Sequence, residues 1–159
     1  MSETKKVNYK RETATRTLKE LIERVKNINK HKREYLHVKD IYVFGSYLKK
    51  TPTVHDLDVF VTWECTDFCN NIVKQNFDGK LINLSYSLSY SHEQHISFPA
   101  RLFYIYDYYN RRIKNKSHIV SLHLIEEKDK LGLSPNECVQ IVKDGVLDTN
   151  ILKEITKNK

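Results

Sequence analysis

Apolar positions in this chain recur in two ways, every three to four residues in some stretches and in short continuous or alternating runs in others. Over residues 12–32, Leu18, Leu21, Ile22, Val25 and Ile28 return at helical spacing among charged and polar neighbours, which predicts an amphipathic helix packed by one face. A β-rich run over 41–44 ends at Gly45-Ser46, and the stretch DLDVFVTW, 56–63, reads as a second strand entered through a loop containing Pro52. Residues 67 to about 75 predict a short helix with Thr66 as its N-cap.

The segment over 80–98 carries both patterns. Leu81, Leu84 and Leu88 fit a helix, whereas LSYSLSYS alternates like a strand, and the helix is the reading adopted. A clearer helix follows, opened by Pro99 and marked along one face by Leu102, Ile105, Tyr106, Tyr109 and Ile113. Residues 118–125 read as a third strand with Ile119, Ser121, His123 and Ile125 on one side. SPNECVQIVKDG then has helix signals: Ser134 as N-cap, Pro135 in the first turn, Glu137 three residues after the cap and Gly145 past the end. Helix, strand, strand, helices, strand, helix is the order of a small mixed α/β domain, expected over 12–159 behind a flexible basic start at 1–11.

With 159 residues, 40% hydrophobic and 30% charged, the chain can bury a core without disulfides or a structural metal. No apolar run approaches the roughly 20 residues a membrane helix needs, and the first residues lack a signal peptide's apolar core, so a soluble, cytoplasmic protein with no membrane role is expected. The three cysteines, Cys65, Cys69 and Cys138, lack zinc-knuckle or redox-pair spacing and read as free thiols. A net charge of +7 favours a polyanionic partner, nucleic acid or a nucleoside triphosphate, although a solvated lysine-rich surface explains it equally.

Asp56 and Asp58 change the picture most. Alternation puts both on one face of the second strand, with Leu57, Val59 and Val61 on the other. Two carboxylates so placed repel, and burying them unpaired costs several kcal/mol or forces one to take up a proton. A hard divalent cation between them relieves both penalties, because Mg²⁺ takes one or two carboxylate oxygens and completes its octahedron with water and phosphates. A polar turn before the strand is the plainer reading of the pair alone. Gly45-Ser46 directly after a β-rich run adds a place where backbone can approach a phosphate, with Lys49 and Lys50 near to offset its charge.

Phe44, Gly45, Ser46, nine intervening residues, then Asp56, Leu57, Asp58 and Val59 resemble the signature of the nucleotidyltransferase superfamily that includes DNA polymerase β, most closely its minimal nucleotidyltransferase branch. The close resemblance covers residues 12–63. It implies that Gly45, Ser46 and Lys49 bind the nucleotide's phosphates, and that Asp56 and Asp58 ligate Mg²⁺ or Mn²⁺ as the catalytic carboxylates. The implied reaction moves a nucleoside monophosphate from a nucleoside triphosphate to a hydroxyl on protein, RNA or a small molecule, releasing pyrophosphate. Such a small chain is also expected to need a partner, either a second copy as a homo-oligomer or a toxin–antitoxin-type protein.

The family usually supplies a third carboxylate from a later strand, where this chain has Ser121 and His123. His123 and Glu126 are therefore the candidates for the third site residue, with Glu127 beside them. The departure keeps a second reading open, a catalytically impaired member acting as an antitoxin-like or nucleic-acid-binding module. His92 and His95 lie three apart and do not match a zinc-protease helix, and His55 reads as a loop residue. Tyr104, Tyr106, Tyr108 and Tyr109 stand beside Arg111 and Arg112. Helical spacing assigns Tyr106 and Tyr109 to the core and leaves Tyr104 and Tyr108 exposed, free to stack on bases.

Overall fold

The computed structural model describes residues 7–92, 101 and 103–157. Its centre is a five-stranded mixed sheet ordered β5-β4-β2-β6-β7. These strands are β2 (Leu36–Phe44), β4 (Leu57–Cys65), β5 (Val120–His123), β6 (Cys138–Lys143) and β7 (Val146–Leu147). A two-stranded ribbon of β1 (Tyr9–Lys10) and β3 (Thr53–Val54) lies apart from it.

Helix α1 (Arg11–Lys30) has the periodicity its sequence predicts and buries Ala14, Leu18, Leu21, Ile22, Val25 and Ile28. The start expected to fray is tied down from Tyr9, which pairs with Val54 while Lys10 pairs with Thr53. Residues 1–6 lie outside the described residues. Arg11 is buried, and its guanidinium donates to the carbonyls of Tyr47 and Ile155, joining the start of α1 to the turn after β2 and to the end of the chain.

β2 and β4 are antiparallel, with Val43 opposite Val59 and Phe44 opposite Asp58. Leu57 and Val59 enter the main core with Ile41 and Val43, whereas Phe44 and Phe60 form a smaller apolar cluster with Cys138. The sheet thus has two unlike faces, and alternation assigns Asp58 to the face of Phe60.

From β4 the chain runs through α2 (Asp67–Asn76), α3 (Leu81–His92) and α4 (Tyr104–Lys114) to β5, which lies parallel to β4. A parallel neighbour requires such a crossover. Thr66 caps α2 as expected, accepting from the Cys69 N–H at 3.1 Å. The described part of the ambiguous segment, Leu81–His92, is helical, residues 93–98 lying outside the described residues. Its fully buried Ser85 is hydrogen-bonded: Oγ donates to the Arg101 carbonyl and accepts from the Ile105 N–H, both at 3.0 Å. α4 buries Ile105, Tyr109 and Ile113, a narrower face than expected. Tyr106 falls at its edge and is partly exposed. Pro99 and Leu102 lie outside the described residues.

The expected helix after Ser134 is corrected. Ser134 and Glu137 do form the local contacts, the Ser134 N–H and hydroxyl donating to Glu137 Oε2 at 3.0 and 2.9 Å, but no helix follows. Residues from Cys138 onward form β6, paired antiparallel with β2, where Val139 and Ile141 gain a sheet position that an isolated turn of helix would not give. Gly145 is the second residue of a two-residue hairpin turn, after Asp144, both with positive φ (77° and 48°). The short helix α5 (Glu126–Leu131) precedes β6, and α6 (Thr149–Thr156) ends the chain, capped by Asp148.

Candidate active site

β2 ends at Phe44, and the chain turns through a 3₁₀ segment, Gly45–Lys49, beside the start of β4. Gly45 has φ of +76°, and a Cβ built there would overlap Asp58 Oδ2. Only glycine lets this turn pass so close to the carboxylate without strain. Ser46 Oγ accepts from the His55 N–H at 3.3 Å and so binds the turn to the loop that leads into Asp56. Lys49 closes the turn and is exposed.

Asp56 immediately precedes β4 and Asp58 is its second residue. Burial first, and then the neighbouring charge of Asp56, push the Asp58 carboxyl up from its ordinary range, while the hydrogen bond to His123 opposes them. The repulsion expected from the sequence is therefore present in the fold.

β5 supplies polar partners to both aspartates. Ser121, opposite Asp58 in the parallel register, donates from Oγ to Asp56 Oδ2 at 3.2 Å. His123, opposite Phe60, has Nε2 2.9 Å from Asp58 Oδ1. Its other nitrogen, Nδ1, lies 3.1 Å from Glu127 Oε2 on α5, so a carboxylate faces each side of the ring. Phe44 and Phe60 meet the imidazole edge to face, with centroids 5.0 and 5.9 Å away, and hold its plane. Of the two glutamates after the strand, Glu127 touches His123, whereas Glu126 is exposed.

The structure thus brings Gly45, Ser46, Asp56, Asp58, Ser121, His123 and Glu127 together. Sequence reasoning missed the Asp58–His123–Glu127 chain, whose only trace is the four-residue spacing from His123 to Glu127 across the strand end. It also missed Arg11, whose contact with the Tyr47 carbonyl supports the glycine turn from behind and which no motif marks.

The residues fit a divalent cation with a phosphate ligand on two observations: a carboxylate held up by burial and by a like charge, and a glycine cradle that a Cβ would fill. Among the described residues no three His, Cys, Asp or Glu side chains form a ready ligand set. Mg²⁺ bound through two carboxylates, water and substrate phosphate needs none.

A family model described as a nucleotidyltransferase domain matches residues 18–148, a span from within α1 to the N-cap of α6 that includes every residue of the site. Comparisons with curated proteins and with solved structures returned no match.

Proposed function

Because the chain belongs to the nucleotidyltransferase domain family, we propose that it is a Mg²⁺-dependent enzyme transferring a nucleoside monophosphate from a nucleoside triphosphate to a hydroxyl acceptor on RNA, protein or a small molecule. The observation carrying this reading is the contact between Gly45 and Asp58, which sets a backbone turn suited to phosphate directly against a carboxylate suited to a cation.

In this reading Asp56 and Asp58 hold Mg²⁺ or Mn²⁺. When bound, the ion supplies charge neutralisation on the triphosphate and acidifies the attacking hydroxyl. The Gly45–Lys49 turn binds phosphate oxygens through backbone N–H groups and the Ser46 hydroxyl, and Lys49 adds a positive charge. Ser121 fixes the orientation of Asp56.

Ser121 and His123 occupy the part of β5 where the resemblance puts a third carboxylate. With Nδ1–H donating to Glu127 and the Asp58 carboxylate drawn to the cation, the unprotonated Nε2 of His123 would take the proton of the attacking hydroxyl. Glu127 on Nδ1 fixes the ring and stabilises the resulting charge. The hydroxyl oxygen bonds to the α-phosphorus as the bond to the β-phosphate oxygen breaks, and pyrophosphate leaves.

The test incubates the purified protein and Mg²⁺ with each nucleoside triphosphate, α-labelled, and with RNA, protein and small-molecule acceptors. Label transfer with stoichiometric pyrophosphate is expected. No transfer under any combination would reject the enzymatic reading in favour of a non-catalytic role.

A further inference from the structure

We propose that the surface of α4 bearing Tyr104 and Tyr108 is a binding site for single-stranded RNA. The two rings stand one helical turn apart and stack, with centroids 6.3 Å apart and planes 29° from parallel. Tyr108 is 45% exposed and the adjoining Phe103 63%, whereas Tyr104, expected to be exposed, is half-buried, so the ridge meets solvent through Tyr108 and Phe103.

Tyr104 and Tyr108 are also the wall shared by two grooves. One, of about 460 Å³, lies toward Arg33, Tyr35 and Leu88; the other, of about 370 Å³, lies toward Arg111, Lys114 and Lys116. An aromatic ridge between an apolar groove, with Arg33 at its edge, and a basic one matches a polynucleotide strand, whose bases stack while its backbone follows the charge.

The charges around the ridge are unequal. Arg112 is matched by Glu34 through contacts of 2.8 Å, and Arg111 by Asp107 at 2.7 Å. Arg33, Lys114 and Lys116 form no ion pair among the described residues, so the surface carries three uncompensated cations. Arg112 also lies 5.5 Å from the centroid of the Tyr108 ring, a cation–π contact that keeps the ring in place. An acidic protein would use the cations and leave the stack idle. A single strand uses both, and the Tyr108 hydroxyl and Asn115 can pair with ribose 2′-hydroxyls.

This surface is remote from the carboxylates. Trp63 packs against Tyr109 of α4 with centroids 5.4 Å apart, and along β4 Trp63 lies five residues from Asp58, about 16 Å at strand rise. RNA binding at this surface therefore does not rest on the proposed reaction.

The test is fluorescence anisotropy with a labelled single-stranded oligouridine at low and moderate salt. Tyr108→Ser is expected to weaken binding by about 5- to 150-fold, the worth of one stacked base. Tyr108→Phe, which keeps the ring, retains most of it. Lys114→Gln with Lys116→Gln lowers the slope of log affinity against log salt by about 1.4, or 0.7 per lost phosphate contact. The proposal is overturned by absence of binding at low salt, by wild-type affinity in a folded Tyr108→Ser protein, or by equal competition from oligoglutamate.

Discussion

Gly45 and Asp58 share a space that admits only one side chain: the Asp58 carboxylate fills the volume that a Cβ on residue 45 would occupy. The strand pairing of Phe44 with Asp58 enforces this, because the residue after Phe44 must turn away from the sheet over its partner. With φ at +76°, Gly45→Ala incurs a left-handed penalty of about 1–2 kcal/mol before any displacement of Asp58. For a chain of this size the melting temperature is expected to fall by about 2–8 °C. Thermal unfolding reads that change, and loss of Mg²⁺-triphosphate binding reads the displaced carboxylate.

His123 connects Asp58 to Glu127 and is the one imidazole in contact with the carboxylate pair among the described residues. His123→Ala is expected to lower kcat by about 10²–10⁴, the usual worth of a general base, with KM for the triphosphate little changed. Glu127→Gln moves kcat the same way by less. Steady-state kinetics separates the two constants, and exogenous imidazole should partly rescue His123→Ala. Unaltered kcat in His123→Ala would remove the residue from the mechanism.

Far from the site, Glu34 accepts two hydrogen bonds of 2.8 Å from Arg112 and one of 2.7 Å from the Tyr109 hydroxyl, which itself accepts from the Tyr35 N–H. The Arg112 contacts lower the Glu34 pKa from its ordinary value, against the opposing effect of burial. A depressed carboxyl contributes stability that is fully present above its unfolded pKa and lost as pH falls through the folded one. Stability from this cluster should therefore hold at neutral pH and decline below about pH 4.5. Glu34→Gln is expected to cost about 1–2 kcal/mol at pH 7 and to flatten the acid limb of the stability curve, read by urea unfolding across pH. An unchanged acid limb would assign the loss to other carboxylates.

The first half of the chain was legible because local signals and tertiary contacts agree there. Leu18 to Ile28 mark a helix that the sheet needs, Thr66 caps a helix that forms, and the Gly45-Ser46 turn with Asp56 and Asp58 survives as one spatial unit. The second half misled at Ser134, where a capping hydrogen bond is real but the next residues pair with β2 instead of coiling. Val139, Ile141 and Val142 carry the strand signal, and Gly145, a helix stop in isolation, belongs with Asp144 to a hairpin turn. The role of Glu127 could not be read from a strand pattern, because it depends on how sharply α5 turns after β5 and returns a side chain to His123.

Calorimetric titration of the protein with a non-hydrolysable nucleoside triphosphate, with and without Mg²⁺, tests the central claim most directly. Wild type should bind with a clear Mg²⁺ dependence, and Asp56→Asn with Asp58→Asn should abolish that binding while circular dichroism shows an intact fold. No Mg²⁺-dependent heat in wild type, or equal binding in the double variant, would contradict the assignment of these carboxylates and the glycine turn to a metal-bound triphosphate.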